Sequence, residues 1–121
     1  MLIDCRSLEV DYIPINLPEI ILVCNTNVKH SLASSTYNQR RQECESAVTI
    51  LREHLPAIAA LRNVSPAQLE AHAADLSEKI FRPARHVVTE SEKTKQAAIF
   101  LREGEALGQL MATSHASLRD D

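Results

Sequence analysis

The chain has 121 residues, 45% of them hydrophobic, which suits one globular domain burying roughly two thirds of the surface that its unfolded form exposes. Thirteen Lys and Arg stand against sixteen Asp and Glu, a net charge of -3, and that balance removes the broad attraction to phosphate backbones or anionic lipid. Nucleic acid is therefore not an expected partner. Nor is a membrane, because no apolar stretch approaches the roughly 20 residues needed to cross one, and Met1-Leu2-Ile3-Asp4 lacks the basic segment of a secretory signal; the chain is read as cytoplasmic.

Three short blocks open the chain: Leu2-Ile3, Val10 to Ile13, and Ile20 to Cys24, β-branched and punctuated by Pro14 and Pro18. They predict about three strands. Their apolar positions outnumber what one covered face requires, so a further element is expected to pack there. The junction Asn25 to Arg41 follows, where an apolar run gives way to small polar residues and then to a helical pattern. Such junctions carry free backbone donors, and Ser34-Ser35-Thr36 offers hydroxyls suited to a helix start.

From there the pattern is helical. Tyr37, Cys44, Val48, Leu51 and Leu55 share a stripe, and Pro56 ends or interrupts that helix. Ser65-Pro66-Ala67-Gln68 combines a hydroxyl cap, a proline at the first helical position and a glutamine three residues past the cap. Leu69, Ala73 and Leu76 form the inner face of this second helix. The longest helix is predicted from about Pro83, with Ala84, Val87, Val88, Ser91, Thr94, Ala98 and Leu101 as its inward stripe and Gly104 as its stop. A last helix, about Glu105 to Ser117, turns Leu107, Leu110, Met111 and Ser114 inward and makes a hairpin with its neighbour. The fold class is α+β: a small N-terminal sheet fragment with a loop over 1–33, then a bundle of about four helices over 34–121, together one unit. Both ends read as cuts, so a longer natural protein is expected.

Three cysteines, Cys5, Cys24 and Cys44, at wide spacing fit neither a disulfide framework nor a CxxC metal site, and predict reduced, mostly buried thiols. His86 and Glu90, at i and i+4, could hold a metal only with two further ligands that the spacing does not supply, so a hydrogen-bonded helix pair is expected and no metal site. His115 reads as a tie between the last helix and its neighbours. Ser31, Ser34 and Ser35 lack a local base and acid, and read as caps rather than nucleophiles. Arg40-Arg41 with Glu43 and Glu45 reads as a solvated helix face.

Four blocks in constant order carry a resemblance over nearly the whole chain: LIDCRSLE from Leu2, VCNTNVKHSLASSTYNQRRQEC from Val23, RPARHVVTE from Arg82, and GQLMATSHASLRDD from Gly108. Together they resemble galactokinases, two-lobed α+β enzymes of the GHMP small-molecule kinase family that transfer the ATP γ-phosphate to the C1 hydroxyl of galactose. The resemblance implies an internal segment. In that family the Gly/Ser-rich ATP loop and the catalytic aspartate precede the position of Met1, and a Gly-rich motif follows Asp121. ATP and Mg²⁺ are thus implied for the longer enzyme and none for this segment, which is expected to be inactive alone and to self-associate through its uncovered sheet.

Within the segment the resemblance implies one sugar contact, Tyr37, whose phenol can both donate to and accept from a sugar hydroxyl. On pattern alone Tyr37 also fits a helix-start residue packed on the core. Lys29 stands where relatives carry Arg near the nucleotide phosphates; it neutralises charge without the planar two-pronged fork, and a solvated surface lysine is the competing reading. No catalytic residue is implied. The alternative for the whole is a non-catalytic helical interaction module derived from a sugar kinase.

Overall fold

The computed structural model describes residues 1–14, 22–25, 27 and 35–120, the side chains of residues 35 and 36 aside. Among them two strands precede four helices: β1 Leu2–Ile3, β2 Val10–Asp11, α1 Ser35–Leu51, α2 Pro66–Ala71, α3 Glu78–Glu103 and α4 Gly108–Asp120. The class is α+β, as the residue pattern predicts. The strands pair antiparallel with Leu2 opposite Asp11 and Ile3 opposite Val10.

The hairpin is held by its connection more than by its faces. The Asp4 carboxylate accepts the Arg6 backbone N–H at 2.9 Å, the Leu8 N–H donates to Asp4 O at 2.8 Å, and the Asp4 N–H donates to Glu9 O at 3.0 Å. Leu8 takes a left-handed backbone, φ 60°. The strands remain short because both faces stay largely uncovered: Ile3 and Val10 are exposed. A third strand is not found in the described part of its block. Ile20 and Ile21 lie outside the described residues, and Leu22, Val23 and Cys24 are non-strand and exposed, with no strand beside them among the described residues.

Sequence builds the helical layer in a readable way. Ser65 accepts the Gln68 N–H at 3.2 Å while the Gln68 side chain accepts the Ser65 N–H at 2.9 Å, so α2 starts on the reciprocal cap that its residues predict. The helix is only six residues long; Leu69 is buried within it, and Leu76 is buried just beyond the tight turn Ala73–Asp75 that follows. α3 begins at Glu78, earlier than the predicted start at Pro83. Ser77 provides an extended N-cap residue (φ -65°, ψ 152°), Glu78 places a negative charge in the first turn, and Pro83 lies inside the helix, buried. A proline there forfeits one backbone bond; the Glu78–Arg82 ion pair spans the same turn.

α3 ends at Gly104, φ 73°, whose N–H donates to Phe100 O. Glu105 donates to the same carbonyl at 2.8 Å, and the first bond of α4 runs from Met111 N–H to Leu107 O at 2.9 Å. Residues 105–107 are thus taken by the turn, and α4 starts at Gly108 rather than about Glu105. Leu107, Leu110 and Ser114 face inward in part, whereas Met111 is exposed.

One core joins these pieces. Ala47 and Leu51 of α1, Ile58, Leu61 and Val64 of the α1–α2 connection, Leu69, Leu76, and Ala84 and Val88 of α3 form its buried centre. α1 ends at Leu51, before Pro56, and Leu55 joins the rim of the core from beyond the helix. The connection is fastened by polar groups: Arg52 donates to Ile58 O at 3.0 Å and Ala59 O at 3.3 Å, and Asn63 Oδ1 accepts from the Ala59 and Ala60 N–H groups at 3.2 and 3.1 Å. Arg62 reaches Asp4 at 3.1 Å, and Arg102 pairs with Asp11, so two arginines seat the hairpin on the helices. No helix among the described residues is long and apolar enough to cross a membrane.

Candidate functional site

The junction between the N-terminal hairpin and α1 contains both residues that the sequence puts forward. Its described opening is a polar turn: Asn25 Oδ1 accepts the Asn27 N–H at 2.8 Å, and Asn27 holds a left-handed φ of 55°, a conformation that Asn tolerates better than most residues. Lys29, Ser31 and Ser34 lie outside the described residues, as does the side chain of Ser35.

Tyr37 sits in the first turns of α1 and is 69% exposed. It does not join the stripe that buries Leu51 and half-buries Cys44 and Val48. The competing reading of Tyr37 as a core residue therefore fails in this chain. Beside it Arg41 donates to Glu45 at 2.9 Å, an exposed i,i+4 pair on the solvated face that alternating charge predicts, whereas Glu43, expected on that face, has a largely covered side chain that accepts from Gln39 at 2.8 Å and pairs with Lys79 of α3 at 3.6 Å.

Two of the open clefts among the described residues flank the core, and Tyr37 lines neither. One, of about 490 Å³, lies between the hairpin and α3 and includes Asp4, Arg6, Glu9, Arg62 and Thr94. Arg6, through side-chain and backbone hydrogen bonds, holds the Asp4 carboxyl well below the usual carboxylate range, with Arg62 adding to the effect. Asp4 is thereby committed as a hairpin acceptor. The second, of about 520 Å³, runs beneath α1 past Cys44, Val48, Arg52 and Val87. Burial, with Glu43 beside it, pushes the Cys44 thiol up and leaves it protonated and weakly nucleophilic. Cys5 and Cys24, expected to be mostly buried, are exposed free thiols on the hairpin connection and on the uncovered segment before Asn25.

Side chains of α3 and α4 form a connected polar cluster. Ser114 donates to Glu90 at 2.6 Å, Lys93 bonds Glu90 at 2.8 Å and Thr113 O at 3.2 Å, and His86 Nδ1 meets Ser117 Oγ at 2.9 Å. Burial works to raise the Glu90 pKa, but the hydrogen bonds from Lys93 and Ser114, with the charges of Lys93 and His86, outweigh it and hold the group below its ordinary value. The His86–Ser117 contact has the spacing of a base and nucleophile. Ser117 nevertheless lies within α4, where backbone N–H groups are spent on the helix and cannot stabilise an oxyanion. The pair is a helix tie. His115, expected to serve in this way, is exposed, and its neighbours Ser114 and Ser117 make the contacts.

A cluster that sequence spacing does not reveal joins the end of α1 to the end of α2. His54, His72 and Asp75 bring their ligand-type atoms within 4.8 Å of one another. His72 and Asp75 are neighbours in a tight turn, but His54 arrives from the turn after α1, and only the folded connection brings it there.

The arrangement so far defines a class: an α+β segment in which a short hairpin and an exposed helix start are set on a helical layer. Comparison with known proteins carries this further. The chain is 48% identical over 124 residues to galactokinase of Homo sapiens, 47% over 124 residues to that of Bos taurus, and 46% over 123 residues to that of Roseiflexus sp. (strain RS-1). Each similarity covers 100% of this chain and 30–32% of the relative. The resemblance carried by the four sequence blocks is thus borne out from end to end, and the chain spans about a third of the length of the curated relatives that it matches. No family model matches the chain.

Proposed function

We propose that this chain is one segment of an ATP-dependent galactokinase, a cytoplasmic phosphotransferase of the two-lobed GHMP type, and that its part is to form one wall of the sugar site. The observation that carries this is the 46–48% identity to galactokinases along the whole chain. Tyr37 supports it: a phenol exposed at a helix start, unused by the core, can exchange a hydrogen bond with a sugar hydroxyl. Lys29 is assigned to the neighbourhood of the nucleotide phosphates, where it would offer a point charge.

In the reaction the C1 hydroxyl oxygen of galactose attacks the γ-phosphorus, the bond to the β-phosphate oxygen breaks, and ADP departs. Such a reaction needs a cradle of backbone N–H groups, oxygen ligands for Mg²⁺ and a group that orients the attacking hydroxyl. The described residues do not fit that role. Gly104 spends its N–H on Phe100 O at a helix stop, and the tightest potential ligand cluster is rich in imidazole rather than oxygen. What this chain supplies is the position and hydrogen bond of Tyr37, and the segment alone is inactive.

Three measurements test the reading. The coding sequence flanking this segment is expected to encode a Gly/Ser-rich ATP loop upstream and a Gly-rich motif downstream in the same frame; a start at Met1 with a stop after Asp121 would sink the kinase assignment in favour of a non-catalytic interaction module. In the complete enzyme, Tyr37→Phe is expected to raise KM for galactose about 2- to 10-fold, the worth of one hydrogen bond of roughly 0.5–1.5 kcal/mol, while leaving the melting temperature unchanged because the ring is exposed. Calorimetric titration of the 121-residue chain with galactose or ATP is expected to show no tight binding; tight, Tyr37-dependent binding of both would overturn the incomplete site.

A further inference from the structure

We propose that His54, His72 and Asp75 form a binding site for a divalent transition-metal ion of the zinc class, closing the connection between α1 and α2. His54 Nε2 and His72 Nδ1 each lie 3.3 Å from the same oxygen, Asp75 Oδ2. That separation is long for a charge-assisted N–H···O bond, which is about 2.7–2.9 Å. It is the edge of a tetrahedron whose centre is about 2.0–2.1 Å from each corner, the bond length of zinc to imidazole nitrogen and carboxylate oxygen. The two imidazole nitrogens lie within 4.8 Å of each other, and rotation of one ring closes that third edge.

The donor set decides the class of ion. Two imidazoles and one carboxylate suit zinc, nickel, copper or cobalt, and disfavour Mg²⁺, which takes oxygen ligands. Three protein ligands leave a fourth position for water, and the side chains of His54 and Asp75 are about two-fifths exposed, so the ion can enter from solvent. The two rings stack, with centroids 4.5 Å apart and planes at 18°. Lone pairs lie in the ring planes, so two stacked rings cannot both face one ion. Binding therefore turns one ring out of the stack, and His54, on the exposed turn after α1, is the ring with room to move. The ion would tie that turn to the Ala73–Asp75 turn and restrain the connection that carries Ile58, Leu61 and Val64 into the core.

The test is titration of the 121-residue chain with Zn²⁺ by calorimetry and with Co²⁺ by visible absorption. One equivalent of each is expected to bind, Co²⁺ giving the d–d bands of a near-tetrahedral ion, and Mg²⁺ none. His54→Ala and His72→Ala are each expected to weaken Zn²⁺ binding at least tenfold. Replacing Cys5, Cys24 and Cys44 by serine is expected to leave it unchanged, which separates this site from adventitious thiol binding. In case a histidine variant fails to fold, the wild-type chain is also followed by NMR: substoichiometric Co²⁺ should broaden the assigned ring signals of His54 and His72 before those of the other three of the five histidines. Absence of Zn²⁺ binding to the folded chain, binding lost with the cysteines, or first broadening at His30, His86 or His115 would each overturn the site.

Discussion

Leu51 has no exposed surface, and it packs among Ile58, Leu61, Leu69 and Val88, where the α1–α2 connection meets α3. Truncation there leaves a cavity that rigid neighbours fill poorly, so Leu51→Ala is expected to cost about 2–5 kcal/mol of unfolding free energy, read from urea denaturation. Tyr37, near the start of the same helix, should behave oppositely, since it is 69% exposed and its removal should register only in sugar binding. Gly104 illustrates a third kind of dependence. Its φ of 73° suits glycine, and a Cβ would meet nothing within 4 Å, so Gly104→Ala is expected to lose about 1 kcal/mol through backbone strain alone, without any clash.

At the scale of elements, the α3–α4 hairpin rests on the polar cluster around Glu90, with Lys93 and His86 on α3 and Thr113, Ser114 and Ser117 on α4. The folded pKa of Glu90 lies below its ordinary 4.5, so the folded state holds this proton less tightly than the unfolded state. Its stabilisation is then complete above about pH 5 and disappears as pH falls through the folded value. The melting temperature of the chain is expected to drop between about pH 5 and pH 3, and Glu90→Gln should flatten part of that drop while lowering stability at neutral pH; an unchanged profile in the variant would remove Glu90 from the account. Local chemistry made much of this layer legible in advance: the Ser65–Gln68 reciprocal cap, the Gly104 stop and the Ala84–Val88–Ala98 stripe are all written within a few residues of where they act. The early start of α3 was not legible, because Pro83 is a strong signal for a first helical position and only burial against the core offsets its missing N–H. His54 with His72 and Asp75 was equally hidden, since the contact depends on how the Arg52- and Asn63-fastened connection folds back. The exposure of Cys5, Cys24 and Met111 was missed for a related reason: residue type reports a preference for burial, whereas the element that would cover each is not adjacent in sequence.

For the molecule as a whole, the N-terminal third and the helical layer stand in different conditions. The layer has a closed core of aliphatic side chains, while Leu8, Tyr12, Leu22 and Val23 are exposed, Leu22 and Val23 by 82% and 86%. Each such residue alone is ordinary on a surface; several on one short stretch of chain, beside a hairpin whose edges are unpaired among the described residues, form surface that association can bury. On the proposed reading of the chain as one segment of a galactokinase, whose relatives are about three times as long, other parts of the longer enzyme cover this stretch. Self-association is therefore expected for the 121-residue chain. Light scattering should report dimers or larger species at micromolar concentration, and an apolar dye should gain fluorescence on binding. Tyr12→Ser combined with Val23→Ser should shift the population toward monomer without lowering the helical signal in circular dichroism, since neither side chain contributes to the core. A monodisperse wild-type monomer that binds no dye would show that these residues fold back on their own chain, and would remove the expectation that they are covered by another part of a longer protein.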